Sequence, residues 1–314
     1  MSEARCVVIT GASRGLGLAS AIHLYERGWH VVGAMRSPEV GLERIRAATG
    51  ASADDLRLTG VRLDLADPAS IADAAQAIRD AVGAPFGLVH NAGFVSVGCI
   101  EELPFPVVEQ IFTTNLFGAH RLTADLLPSM RAAGRGRIVV VSSEGAIHGM
   151  PGLSAYSASK GALERWAEAL ALEVAPFGIG VSVLVAGTFD TDVLDRAHTV
   201  SYGDPEGPYR HLHAGQARLE ERVKRMASPP ARFARALAKT LDEDAPFTRR
   251  AVGLDAVAMR IGRALLPAGL FQRMVSKVLR IPRPGALRND PIRSATLTPG
   301  VYEPPARSDE SSTS

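Results

Sequence analysis

Short apolar runs rich in β-branched residues alternate with longer stretches of helical periodicity over residues 5–190. The strand candidates are residues 5–10, 29–35, 57–64, 86–90, 136–142 and 180–186. Several, such as Ile138-Val139-Val140-Val141, are continuously apolar, the pattern of a strand covered on both faces. Between them, Ile71, Ala74, Ala75, Ile78 and Val82 recur at the spacing that lines one side of a helix. Alternation repeated this often predicts an α/β fold, a doubly wound parallel sheet with helices on both faces.

Beyond residue 187 the alternation fades. Residues 198–213 are rich in turn formers and aromatics and predict a loop beside the site, and helical spacing returns over 216–226 and 230–242. Residues 254–281 mix Leu, Val and Met with Arg and Lys and predict a helical C-terminal extension. From 282 onward Pro, Arg, Ser and Asp dominate, the composition of a disordered tail. The chain therefore divides into a principal domain over 1–253, an extension over 254–281 and a tail over 282–314.

With 46% apolar and 22% charged residues, the chain can bury a sizeable core. A formal net charge of +2 gives no general electrostatic case for nucleic acid. Cys6 and Cys99 are too few for a disulfide framework and neither has metal-ligand spacing, so no metal is expected. The N-terminus enters its first strand without a charged leader and apolar core, and no apolar run is long enough to span a bilayer as a helix. A reducing, cytoplasmic setting is expected. Of the 35 basic residues only four are lysines, so each lysine stands out.

The first strand runs into Thr10-Gly11-Ala12-Ser13-Arg14-Gly15-Leu16-Gly17 and then into a helical stretch. Glycines allow a tight turn and a close approach of backbone to a pyrophosphate, whose charge a helix N-terminus favours. Three glycines alone are weak evidence in a chain with 30 of them; their place between a first strand and a helix makes the signal strong. Tyr156 and Lys160 lie four apart in a helical stretch starting near Ser154, on the apolar side with Leu163, Ala167, Leu170 and Val174. Glu164, Arg165, Glu168 and Glu173 fall on the other side. Lysine is almost never buried without a partner, so its place on this stripe implies a task. A phenol with an ordinary pKa of about 10 is a sluggish base at neutral pH, and a neighbouring ammonium would lower it.

TGASRGLG has the TGxxxGxG spacing of the short-chain dehydrogenase/reductase family, and the chain resembles the shorter, non-extended branch of that family. Asp64 after the third strand, Asn91-Ala92-Gly93 after the fourth, Asn115 in a helix, Ser143 after the fifth, then Tyr156 and Lys160 follow in the family's order. The resemblance covers residues 4–192 and, more loosely, up to about 253. It implies a Rossmann-type fold, a nicotinamide dinucleotide, and hydride transfer at an alcohol or carbonyl carbon, with 1–253 as the dinucleotide-binding catalytic domain. Carried over by position, the cofactor residues are Gly11, Ser13, Arg14, Gly15, Leu16, Gly17, Arg36, Asp64, Leu65, Asn91, Ala92, Gly93, Tyr156, Lys160, Gly187, Thr188 and Thr191. Asp64 would accept a hydrogen bond from the adenine. Met35 stands where an NAD-binding carboxylate would end the second strand, while Arg14 and Arg36 offer guanidinium groups suited to a 2′-phosphate. NADP(H) is expected in preference to NAD(H).

The resemblance also implies the catalytic roles. Tyr156 would protonate the carbonyl oxygen in reduction or deprotonate the alcohol in oxidation. Lys160 would lower its pKa and hold the nicotinamide ribose, and Ser143 would hydrogen-bond the reacting oxygen. Asn115 would anchor a water chain that resupplies Tyr156. Ser142 competes for the serine role; the thirteen-residue separation from Tyr156 favours Ser143. One landmark is altered: Ala186-Gly187-Thr188-Phe189-Asp190-Thr191 stands where the family usually has Pro-Gly followed by threonine, so a rigid residue is lost. His90 replaces a frequent asparagine as a packing variation.

Phe94, Ile147, Met150, Leu153 and Phe189 occupy family substrate positions and imply a bulky hydrophobic ketone or alcohol, steroid-, retinoid- or polyketide-like. His211 and His213 are read as solvent-facing loop histidines, without a carboxylate or thiol pattern beside them. After Asp255 the segment up to 281 has no acidic residue and carries Arg260, Arg263, Arg273, Lys277 and Arg280. Packing on the domain, capping of the cleft, support of a dimer and peripheral contact with an anionic membrane all remain open for it. The expected partners are a small-molecule substrate and further copies of the chain in a homo-oligomer. Two other readings stand beside this one. A catalytically silent NADP(H)-binding regulator is opposed by the intact Ser143, Tyr156 and Lys160. An epimerase or dehydratase is opposed by the glycine spacing.

Overall fold

The computed structural model describes residues 5–191, 200–293 and 296. Its strands are β1 (Cys6–Thr10), β2 (His30–Met35), β3 (Leu58–Arg62), β4 (Gly87–His90), β5 (Gly136–Ser143), β6 (Ile179–Ala186) and β7 (Phe247–Val252). They form one all-parallel sheet in the order β3-β2-β1-β4-β5-β6-β7. The helices are α1 (Gly15–Glu26), α2 (Pro38–Thr49), α3 (Pro68–Val82), α4 (Phe105–Phe112), α5 (Gly118–Ala133), α6 (Glu144–Ile147) and α7 (Ser154–Val174). They continue with α8 (Arg210–Lys224), α9 (Pro230–Leu241), α10 (Leu254–Leu265) and α11 (Ala268–Val278).

Side chains on a strand point alternately to its two faces, and here both faces are buried. Val7 and Ile9 of β1 pack with Ala21 and Leu24 of α1, Ile45 of α2 and Phe233 and Leu237 of α9. Cys6 and Val8 join the opposite layer, with Ile71 of α3, Leu122 and Leu126 of α5 and Leu163 and Ala167 of α7. The result is the doubly wound, Rossmann-type sheet the alternation predicted. The order in which successive strands are added to the sheet reverses between β1 and β4, and the crevice at the carboxyl ends of strands at such a point is where open α/β sheets bind ligands.

Three expectations need correction. β7 was missed. It is an edge strand with half-buried side chains, and its Arg249 and Arg250 are satisfied by ion pairs with Glu164 and Glu243 rather than by apolar packing. Glu164, placed by its spacing on the polar side of α7, is in fact buried, because Ser142 reaches it from β5 at 2.7 Å and Arg249 from β7 at 2.5 Å. The loop over 198–213 ends at Arg210, where α8 begins; its residues 198 and 199 lie outside the described residues.

The C-terminal region is helical, as expected, and it is packed. Phe271 and Val275 of α11 and Leu279 just after it gather with Leu219 of α8 and Met259 of α10, and the Phe271 ring meets His148 edge-on at 5.0 Å. Of the predicted disordered tail, residues 282–293 are described; Asp290 there pairs with Arg210 at 2.5 Å, and the remainder except 296 lies outside the described residues. Among the described residues no helix is long and apolar enough to cross a membrane.

Candidate active site

The turn after β1 is built on glycine. Gly11 and Gly15 have φ of 69° and 56°, a region that L side chains rarely adopt. A Cβ on Gly17 would collide with the Gly11 carbonyl and stand 2.5 Å from Asn91 Nδ2. Asn91 ties this turn to the one after β4, donating from Nδ2 to the Thr10 and Gly11 carbonyls at 2.9 and 3.3 Å. The Asn91 and Ala92 N–H groups donate to Thr10 Oγ1 at 3.1 and 3.0 Å. α1 starts behind Arg14 with no side-chain cap and no acidic residue in its first turn. Its first N–H groups are thus left for an anion, and the glycine cradle leaves backbone rather than side chains to meet it. The residues present fit a dinucleotide pyrophosphate.

At the end of β2 the Met35 side chain is buried against Gly41, and Arg36 is exposed. Sequence reasoning missed Arg44, which reaches from α2 to donate to the Ser13 carbonyl at 3.0 Å. It adds a third guanidinium at the rim that holds Arg14 and Arg36. Its only signal was its helical distance from the end of β2. Asp64 is half-buried, with Oδ1 accepting from the Ala66 N–H at 2.9 Å, and Leu65 is buried with the α3 and α5 side of the core.

Ser143 closes β5 and caps α6, its Oγ accepting from the Gly145 N–H at 3.2 Å. Tyr156 stands in the first turn of α7 and hydrogen-bonds Ser143. Lys160, one turn later, is buried; its Nζ lies 5.9 Å from the Tyr156 ring centroid and donates to the Val141 carbonyl at 2.8 Å. Gly93 passes over this pair: a Cβ there would be 3.4 Å from Lys160 Nζ and 3.5 Å from Asn115 Oδ1. Asn115 sits in a π-helical turn, Thr113–Phe117, between α4 and α5. Such turns are often found at functional sites. Its Oδ1 accepts from Phe94 N–H at 2.7 Å, and its Nδ2 donates to the Phe94 carbonyl at 2.9 Å and Ser159 Oγ at 3.0 Å. Ser142 points away from this group, onto Glu164.

The electrostatics differ from expectation. Burial pushes the Tyr156 phenol above its ordinary value; the Ser143 hydrogen bond pulls it down, and the charge of Glu144 pushes it up. Lys160 was expected to set the phenol's pKa through its ammonium, yet burial lowers Lys160 itself to about 8, against the opposing pull of Glu164. The reason is position. Both groups are desolvated together, and the ammonium is directed at a backbone carbonyl.

Gly187 and Thr188 follow β6, one step beyond the Ser143–Ala186 pairing. The Gly187 N–H donates to the Val252 carbonyl at 2.9 Å, and the Thr188 N–H to Asp255 Oδ2 at 2.5 Å. Thr191 lies against the glycine turn, where a Cβ on Gly15 would be 3.5 Å from its Cβ. Phe189 does not line the site. It is buried in the core edge-on to Phe233 at 5.7 Å, because its side chain follows β6 into the α9 layer. His90 is buried, with Nε2 2.7 Å from Thr123 Oγ1, and desolvation lowers its pKa to about 3.

His213 likewise departs from its reading as a solvent-facing loop residue. It is on α8, its Nε2 is 2.7 Å from Glu102 Oε1, and the thiol of Cys99 stands beside them, the three donor atoms within 4.8 Å of one another. Glu102 also accepts from the Cys99 and Asp204 N–H groups at 2.8 and 3.2 Å, so the buried carboxylate ties α8 to the loop after β4. His211 is exposed.

Sheet order, switch point and glycine turn together define a dinucleotide-binding α/β protein. The family described as short chain dehydrogenase matches residues 5–200. The chain belongs to the short-chain dehydrogenase/reductase family and is an oxidoreductase. It is 30% identical over 271 residues to a 3-ketodihydrosphingosine reductase of Bacteroides thetaiotaomicron, covering 86% of this chain and 96% of that one. It is 30% identical over 276 residues to retinol dehydrogenase 8 of Bos taurus, covering 84% and 86%. Among solved structures, a short-chain dehydrogenase from Streptomyces avermitilis shares 33% identity with a TM-score of 0.74, over 90% of this chain and 98% of that one.

Proposed function

We propose that this protein transfers hydride between NADP(H) and the carbonyl or secondary alcohol carbon of a bulky hydrophobic substrate, with Tyr156 as general acid and base. The observation that carries the proposal is the convergence of Ser143 and Tyr156 beside Gly145, with Lys160 one turn further along α7 and beneath Gly93, beside a glycine turn that fits a dinucleotide. What the dinucleotide would supply when bound is the hydride in reduction and the hydride acceptor in oxidation. Gly11, Ser13, Arg14, Gly15, Leu16 and Gly17 would hold its pyrophosphate, and Asp64 and Leu65 its adenine side. Asn91, Ala92, Gly93, Gly187, Thr188 and Thr191 would hold the nicotinamide half.

The protein's own work is proton transfer and polarisation. Ser143 donates a hydrogen bond to the substrate oxygen, and Tyr156 Oη gives it a proton in reduction or takes one in oxidation. Lys160, one turn along α7, would hold the nicotinamide ribose, and Asn115 holds the backbone of Phe94 at the edge of the cleft. Preference for NADP(H) rests on Arg14, Arg36 and Arg44 around a β2 end that carries Met35 in place of a carboxylate. A hydrophobic substrate is supported by Phe94, Ile147, Met150 and Leu153 near the cleft and by relatives named for 3-ketodihydrosphingosine and retinol.

The test is turnover of hydrophobic ketones and alcohols with NADPH, NADH and their oxidised forms, for the wild type and Tyr156→Phe. Wild-type turnover is expected with the phosphorylated cofactor, and a fall of roughly a hundredfold or more in the variant, the scale of a lost acid–base group. Unchanged turnover in Tyr156→Phe removes the assignment.

A surface belongs to the same reading. α10 and α11 leave Leu254, Leu265, Leu270 and Val278 exposed among the exposed Arg260, Arg263, Arg273 and Lys277. Apolar side chains interleaved with cations match an anionic bilayer, from which a hydrophobic substrate would be drawn.

A further inference from the structure

The turn Gly187-Thr188 is the part of the site that the loss of proline at 186 leaves soft by sequence, yet the structure holds it firmly from outside the sheet. Asp255, in the first turn of α10, accepts the Thr188 N–H on Oδ2 at 2.5 Å and the Ala256 N–H on Oδ1 at 2.9 Å. The same carboxylate lies so close over Gly187 that any Cβ there would overlap it, and a Cβ on Gly253 would stand 2.5 Å from its Oδ1. Gly253 has φ of 115°, the left-handed region, so the chain makes a glycine-only turn to bring Asp255 in. The position is also electrostatically sound, because an anion in the first turn of a helix is stabilised by the helix dipole. Two glycines and two backbone N–H groups thus converge on one carboxylate.

The consequence follows from what the turn adjoins. Ala186 pairs with Ser143 across the sheet, and Thr191, three residues beyond Thr188, rests on Gly15 of the glycine turn. The segment 187–191 therefore bridges the proton-transfer residues and the dinucleotide cradle. We propose that Asp255 is a positioning residue for the nicotinamide end of the site, its carboxylate fixing the Gly187–Thr188 turn through the Thr188 N–H and so making α10 part of the cofactor site. The proposal rests on the dinucleotide-binding reading above. It gives the C-terminal extension a duty in the site that packing alone does not require.

The experiment compares two ligands that share everything but the nicotinamide: NADPH and 2′-phospho-ADP-ribose. Their dissociation constants are measured by calorimetry on full-length wild type, Asp255→Ala and Asp255→Asn. Asp255→Ala is expected to weaken NADPH roughly tenfold or more, the scale of a lost hydrogen bond to a charged group, and to leave 2′-phospho-ADP-ribose within about twofold. Asp255→Asn keeps an acceptor for Thr188 and should fall between. Unaltered binding of the nicotinamide-free ligand also certifies that each variant is folded. A second readout needs no ligand: the backbone amide of Thr188 should lose hydrogen-exchange protection in Asp255→Ala. Equal weakening of both ligands, or no weakening and no change in exchange, overturns the proposal. A wild type that binds neither of these 2′-phosphorylated ligands overturns the NADP(H) reading, and a wild type that binds both while Asp255→Ala keeps its NADPH affinity and its Thr188 exchange protection overturns this inference alone.

Discussion

The Glu144 carboxyl, one residue past Ser143, is raised to about 7 by burial and, secondly, by the charge of Asp255. In the unfolded chain it titrates near 4.5. The folded state therefore binds the extra proton between those values, and stability from Glu144 is present below about 4.5 and lost as pH rises through about 7. Glu144→Gln removes this loss. It is expected to raise the unfolding free energy from urea titrations at pH 8 by up to about 3.5 kcal/mol, converting the shift at about 1.4 kcal/mol per pKa unit, and to do almost nothing at pH 4. An equal effect at both pH values would sink the account. Nothing in the order Ser143-Glu144 announced this; the shift comes from burial and from a partner 111 positions further along the chain, at Asp255. By contrast Ser143, Tyr156 and Lys160 were legible as residues, because their spacing along β5 and α7 is local. Their protonation was not. It depends on the burial imposed by the layers packed around them.

At the level of elements, α7 is fastened to the sheet by a charge as well as by its apolar stripe. Glu164 bonds Ser142 of β5 and Arg249 of β7, with its side chain only 2% exposed. Removing one partner of a buried pair strands the other. Glu164→Ala is expected to cost about 3 kcal/mol, read as a lowered urea midpoint with an unchanged slope, and the double variant with Arg249→Ala should cost less than the sum of the singles. Strict additivity would show that the two side chains do not act together. Six strands were visible because a strand buried on both faces writes its own apolar run. β7 was invisible for the complementary reason, since its side chains are satisfied by Glu164 and Glu243, which lie elsewhere in the chain. Helix periodicity placed Glu164 with Arg165 and Glu168 because an ideal wheel knows nothing of which strand edge comes to meet it.

For the molecule as a whole, the outer sides of α10 and α11 decide whether it meets a bilayer. Full-length protein is expected to co-sediment with phosphatidylserine-rich vesicles at low ionic strength, to be released as salt rises, and to ignore neutral vesicles. No binding at low salt removes the membrane surface from the reading.

The doubly wound fold, the glycine turn after β1 and the order of the Ser143, Tyr156 and Lys160 landmarks were determined by the sequence alone, because each is written in neighbours along the chain: periodicity, turn chemistry and short spacings. Tertiary structure decided what depends on distant segments meeting. It buried Glu164, turned Phe189 into the core, brought His213 and Cys99 to Glu102, and set Asp255 over Gly187. Contacts of that kind are made by the sheet order and the return of the C-terminal helices, which bring together side chains that no local pattern couples.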